Sequence, residues 1–262
     1  MIQSVLYIDI KKVTTKVIFL NFFGLTLIFL TGSHQACFSQ DTGNQVTQYK
    51  LSADYYHMAE PLRASKFGQD INLRANSDIG NAWVGLYQTK DQTFNQTRIG
   101  WDSSFDLGLI RVQPSIQSAS GGFLGGSVGI ETGEKMFMGV GLGRTNLKNY
   151  FNLNFDPNDS WTLSSGYRWS SQKFISLQIV RDNRENPDQQ HVHLVYRTPF
   201  SGDDRFLIDL LYKSGSIESQ FIRKYGLVTG FDWGNMGLRL AYDPNVNFTH
   251  TDMRRFIFSY RY

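Results

Sequence analysis

The chain has 262 residues, of which 15% are aromatic, with 24 glycines, one cysteine and a formal net charge of +3, and its mean hydropathy is −0.31. So small a positive charge, with no block of one sign, leaves no electrostatic footprint for nucleic acid, and one cysteine supplies neither a disulfide framework nor a thiolate metal site. An aromatic-rich chain that is polar on average is what a transmembrane β-barrel produces, because every second residue faces water in the lumen.

Residues 1–39 read as a secretory signal peptide. Lys11, Lys12 and Lys16 precede an apolar run over 17–30, and small and polar residues follow, the charged, apolar and cleavage-region order of such signals. The run falls short of the roughly twenty residues that a membrane-spanning helix needs. Cys37 and Ser39 place small residues for a cut after Ser39, with Ala36 as second choice, and His34-Gln35-Ala36 lacks the context for lipidation of Cys37. The domain that remains is 40–262.

Beyond the signal no stretch sustains a 3.6-residue repeat, and the pattern alternates throughout. Candidate strands lie at 69–76 and 81–88. From Gln96 onward the alternation gives about twelve strands, with fourteen as the alternative, since an even number returns both termini to the periplasmic side. The next distinctive feature is a file of glycines, Gly125, Gly129, Gly139, Gly141 and Gly143, on one face, with Gly121 and Gly122 opening the hairpin. Missing side chains there either leave a groove or let the sheet curve sharply.

The later segments are clearer. Trp161, Leu163, Tyr167 and Trp169 alternate with Thr162, Ser164, Gly166 and Arg168, and Val192, Leu194 and Tyr196 alternate with His191, His193, Val195 and Arg197. Phe206, Ile208, Leu210 and Tyr212 follow the same rule, then Met236, Leu238, Leu240 and Tyr242, then Phe256, Phe258, Tyr260 and Tyr262. Short turns are predicted at 170–172, 198–203 and 234–235, and longer loops at 181–190, 214–220 and 244–251. Long loops should face outward and short turns the periplasm. A soluble sandwich or lipocalin-like barrel also alternates, but its apolar face must fit a cramped interior. Here the apolar face carries the bulky aromatics and the other carries glycine, serine and charge, so the expected fold is all-β: a transmembrane up-and-down antiparallel barrel. The aromatic strand 256–262 is the expected signal to the barrel-assembly machinery, and the apolar face the expected contact with outer-membrane lipid and lipopolysaccharide.

The segment 143–159, with its run of Asn and Asp around Pro157, taken together with Leu73-Arg-Ala-Asn-Ser-Asp78 and Ala82-Trp-Val-Gly-Leu-Tyr87, resembles an uncharacterised family of proteobacterial outer-membrane β-barrel proteins. The resemblance implies location and fold and carries no activity. Taken by themselves, Asp156-Pro157-Asn158-Asp159 read as a tight turn, with a calcium site as a lesser reading.

If the apolar positions face lipid, the opposite parity lines the lumen: Arg74, Arg98, Arg111, Gln113, Gln117, Glu131, Asn152, Asn154, Asp156, Arg168, His191, His193, Arg197, Arg205, Asp209, Lys213, Lys224, Asp232, Arg239 and Asp243. Nine of these are basic and five acidic. Such a set either pairs across a narrow barrel and plugs it or forms a mildly cationic pore for a small anionic solute. His191 and His193, two apart on one strand, share a face and could supply two metal ligands or a base. The sequence places no third ligand and no activated serine, with Ser164, Ser176 and Asp209 as the candidates, so no cofactor or metal is implied. The function expected is a structural or small-solute channel barrel. The alternatives are a lipid-modifying hydrolase using one of the histidines, and a barrel for partner binding or polysaccharide export.

Overall fold

The computed structural model describes residues 47–61, 64–151, 156 and 158–262; the expected signal peptide, Asn152 and Asn154 lie outside them. The elements in chain order are β1 Gln48–Ala59, β2 Lys66–Ser77, β3 Gly80–Thr89, β4 Asn95–Asp102, β5 Phe105–Asp106, β6 Ile110–Ala119, β7 Phe123–Thr132, β8 Met136–Thr145, β9 Ser160–Arg168, β10 Phe174–Asp182, β11 Gln190–Ser201, β12 Asp204–Ile217, β13 Gln220–Trp233, β14 Met236–Asp243 and β15 Asp252–Arg261. All pair antiparallel, each with its neighbour in the chain, and β1 closes on β15. β4 pairs directly with β6, so the two-residue β5 hangs on β6 outside the ring. Fifteen strands less β5 leave a closed barrel of fourteen.

Fourteen is the alternative count rather than the favoured twelve, and β1 accounts for part of the difference. In β1, Tyr55 is 51% exposed on the outside while Tyr56 is fully buried inside, so two consecutive tyrosines hide the alternation that marks the other strands. The loop expected over 214–220 is instead the top of a hairpin. β12 and β13 stay paired as far as Ile217 and Gln220, because Gly215 and Ser216 carry the ladder without needing apolar partners on the outer face. The turn expected over 198–203 narrows to Gly202 and Asp203, with an irregular register between Pro199 and Ser201, where proline lacks an N–H to donate.

The outer surface bears a belt of exposed aliphatic side chains, among them Ile99, Val128, Val140, Leu177, Leu210 and Leu240. Aromatics gather at both rims of that belt. At the end that holds both termini, here called the inner end, Tyr49 stacks on Tyr262 and Phe231 on Trp233; towards the other end Tyr55 stacks on Phe67 and Tyr212 meets Tyr225. Apolar surface turned outward with aromatic girdles suits lipid, in which backbone groups must be paired around a closed ring.

Two connections at the outer end turn into the lumen. The β14–β15 connection carries a 3-10 turn, Val246–Phe248, with both apolar side chains buried. Of the β8–β9 connection the described residues are 146–151, 156, 158 and 159, and both Phe151 and Asp156 enter the lumen. Phe151 stacks on Tyr87 of β3 with ring centroids 3.7 Å apart and meets Tyr56 of β1 edge-on, although β9 is the seventh stave from β1 around the ring. Gly143 admits the returning segment: a β-carbon there would lie 2.4 Å from the Asn158 carbonyl oxygen. This assigns part of the glycine file to close approach of backbone rather than to curvature alone.

Candidate functional site

The lumen has two halves of different chemistry. In the outer half Tyr56, Tyr87, Leu211, Ala241, Val246 and Met253 form a buried apolar cluster, with Phe94 and Phe151 packed against it. Charges at this level are paired and dry. Arg98 meets Asp70 at 2.5 Å, Arg255 meets Asp54 at 2.5 Å and Lys213 meets Asp243 at 2.5 Å, and none of these six side chains is more than 6% exposed.

The inner half is wet and cationic. Eight of the fourteen staves turn a basic side chain inward close to the inner end: Lys50 (β1), Arg74 (β2), Arg111 (β6), Arg168 (β9), Arg197 (β11), Arg205 (β12), Arg239 (β14) and Arg261 (β15). Lys50 lies directly opposite Arg261 in the β1–β15 ladder. Asp232 of β13 forms ion pairs with Arg239 at 2.7 Å, Arg261 at 3.4 Å and Arg205 at 3.8 Å. Across the lumen Glu131 of β7 serves both Arg111 at 2.9 Å and Arg168 at 3.3 Å. Asp102 of β4 takes Arg74 at 3.4 Å, and Asp106 of β5 lies 3.6 Å from Arg111. Eight cations against Asp102, Asp106, Glu131 and Asp232 leave a surplus of four. Most of these side chains are 13–25% exposed, against 6% or less for the paired charges of the outer half. Arg197 is an exception: its guanidinium donates to the Ser171 and Gln172 carbonyls of the β9–β10 turn.

Six of these eight were legible as lumen positions: Arg74, Arg111, Arg168, Arg197, Arg205 and Arg239. Lys50 and Arg261 were not, although both obey the parity of their strands; Lys50 lies on the strand whose alternation is masked, and Arg261 precedes the final aromatic. The structure separates the remaining predicted residues from the ring. Arg98 and Lys213 belong to the dry outer half, and Lys224 keeps lumen parity but is exposed near the top of the β12–β13 hairpin, opposite Lys213 in the ladder.

His191 and His193 face the lumen and are buried. Asp156 descends to them: its Oδ1 lies 3.2 Å from His191 Nδ1 and 3.0 Å from His193 Nε2, while Asp209 on the neighbouring strand lies 3.0 Å from His193 Nδ1. Of the tight turn expected at 156–159, Pro157 lies outside the described residues. Asp156 goes to the histidines, and Asp159 accepts from the Thr145 hydroxyl and from Arg184 at 3.0 Å, which separates the two carboxylates that a calcium site there would share. Burial pushes the Asp159 carboxyl up, but the Thr145 and Arg184 hydrogen bonds and the Arg184 charge outweigh it and hold the group below the usual carboxylate range. Of the candidates for an activated nucleophile only Asp209 is brought to a histidine; among the described residues neither Ser164 nor Ser176 hydrogen-bonds to one.

No protein-family model matches the chain. No curated protein matches it. Solved structures do. Outer membrane protein Omp33 of Acinetobacter baumannii is similar over 82% of this chain and 98% of its own, at 9% identity and a TM-score of 0.53. OmpF of Salmonella typhi covers 82% and 97% at 9% identity with a TM-score of 0.45, and OccK5 of Pseudomonas aeruginosa 82% and 97% at 11% identity with a TM-score of 0.42. At this identity the likeness is one of fold, and the match to Omp33 identifies the fold of this chain as that of an outer-membrane β-barrel.

Proposed function

We propose that the chain is a channel of the Gram-negative outer membrane, exported with residues 1–39 removed, that passes small anionic solutes. The observation that carries this reading is the ring at the inner mouth, where eight basic side chains meet the three stave carboxylates Asp102, Glu131 and Asp232, and Asp106 of the attached β5. A ring of like charge in a low-dielectric wall concentrates ions of opposite sign, and the guanidinium fork suits carboxylate and phosphate groups. Phe151 and the aromatic cluster of Tyr56 and Tyr87 narrow the outer half, which restricts passage to small solutes. Lipid and lipopolysaccharide would meet the aliphatic belt, and the assembly machinery the strand 256–262. Both histidines point away from the lipid face, which weighs against a lipid-modifying hydrolase.

The test is the reversal potential of the refolded 40–262 protein in a planar bilayer under a salt gradient. Anion preference is expected, reduced in the Arg239→Gln, Arg261→Gln double variant. A channel without anion preference, or a membrane-inserted barrel that never conducts, would overturn the proposal.

A further inference from the structure

We infer that Asp156, His191 and His193 form a binding site for one divalent transition metal ion of the zinc type, built between β11 and Asp156 of the β8–β9 connection. The three ligating atoms lie within 4.8 Å of one another. A tetrahedral zinc site with bonds of about 2.0–2.1 Å to nitrogen and oxygen has ligand–ligand edges of roughly 3.3 Å. The two nitrogen-to-oxygen separations, 3.0 and 3.2 Å, are close to such edges, so a cation fits between Asp156 Oδ1 and the two rings: His193 releases its Nε2 proton to solvent and keeps the Nδ1 proton on Asp209, and His191 carries its proton on Nε2 and offers the Nδ1 lone pair. Three protein ligands leave the fourth position for water or a solute.

The surroundings are those of a ligand set. Asp209 accepts from the far nitrogen of His193, the arrangement of carboxylate, imidazole and metal that fixes ring orientation and makes the ring a better donor. His191 is 1% exposed, lies parallel to Phe248 at 5.3 Å, and its Nε2 has no hydrogen-bond partner; only Nδ1 is engaged, and it is turned to Asp156. Phe248 holds its place with φ of +53°, an uncommon backbone state for an aromatic residue. The charge balance also favours a cation. Lys213, beside His191 in the ladder, is paired with Asp243, so Asp156 and Asp209 are met by the one proton charge of a His193 ring that donates to both, and a divalent cation takes over that role.

Zinc titration of the EDTA-treated, refolded 40–262 protein in detergent, followed by calorimetry, tests the site without reference to conduction, so its failure and the failure of the channel reading are distinguishable. One equivalent of zinc is expected, and cobalt in its place should give the intense visible absorption of a four-coordinate ion. The His191→Gln, His193→Gln variant should lose the site, and Asp209→Asn should weaken it about 10–100-fold. Should the histidine variant fail to fold, judged by heat-resistant migration on gels, Asp156→Ala tests the same site, since Asp156 lies in a connection and outside every strand. Absence of binding to the unaltered protein, or equal binding by it and by Asp156→Ala, would overturn the inference.

Discussion

Asp70 and Arg98 illustrate what a buried charge does in this barrel. Their side chains are 0% and 2% exposed and 2.5 Å apart, on β2 and β4 with the bare Gly85 of β3 between them. A β-carbon at Gly85 would lie 3.0 Å from the Arg98 guanidinium, so glycine provides the passage across the middle strand. Removing one partner of such a pair leaves the other charged and desolvated, at a cost of about 3–5 kcal/mol, whereas replacing both with apolar groups of similar volume is close to neutral. Asp70→Asn is therefore expected to lower the urea midpoint of the refolded barrel, and the Asp70→Leu, Arg98→Met double variant to recover most of the loss. A double variant no more stable than the single one would refute this account. Arg98 is among the lumen positions expected from the sequence and Asp70 is not, although Asp70 shares the parity of Arg74 on β2, and only the register across β3 sets Asp70 against Arg98. For the same reason the pair of Arg255 with Asp54 could not be read from the chain alone.

Within the β8–β9 connection, residues 149–151 are tied to different walls of the lumen. Gln96 Nε2 donates to the Asn149 carbonyl at 3.0 Å and its Oε1 accepts from the Phe151 N–H at 2.8 Å, while Tyr150 stacks on Phe123 at 4.2 Å. Phe151→Ala removes the ring that fills the space between Tyr56 and Tyr87, so the single-channel conductance should rise while ion preference, set at the inner mouth, stays put. A conductance equal to that of the unaltered protein would show that Phe151 does not limit passage. The return of the segment depends on Asp159, whose carboxyl is held below its ordinary value. A group with a depressed folded pKa contributes its stability above the unfolded value of about 4, and loses it as pH falls through the lower folded value. Hydrogen-exchange protection of the Thr145 amide, which donates to Asp159 at 3.2 Å, should thus be constant from neutral pH down to about 4 and fall only in more acid solution. Loss already between pH 7 and 5 would contradict it. In the sequence this stretch has turn chemistry and aromatics but no period, and periodicity is what gives strands away; nothing in a string of Asn and Asp tells that it turns inward to the histidines rather than out to solvent.

At the scale of the whole molecule, alternation made the strands legible and left the closure to be found. The faces of β9, β11, β12, β14 and β15 follow the predicted parity, because lipid outside and water inside impose a period of two on every stave. The count was harder, since Tyr55 and Tyr56 face opposite ways on a strand that must fill the lumen as well as line it. That strand and β15 form the seam. Their ladder runs from Ala59 opposite Asp252 to Lys50 opposite Arg261, Tyr49 and Tyr262 exchange two backbone hydrogen bonds of 3.0 Å beyond it, and β15 carries a second ladder to β14 on its other side. Deleting 256–262 would strip both ladders of most of their inner length and expose two unpaired edges, which cannot be satisfied in hydrocarbon and which template aggregation in water. The truncated protein is expected to be recovered as aggregate rather than as heat-resistant barrel. Deleting Tyr262 alone removes only the terminal pair of hydrogen bonds and its stack on Tyr49, and should slow insertion into lipid vesicles while leaving the final barrel closed. The decisive comparison is the yield and rate of heat-resistant species for the two deletions. Equal behaviour of both with the full domain would mean that the seam holds without the last strand, and the ring of fourteen would have to close by another pairing.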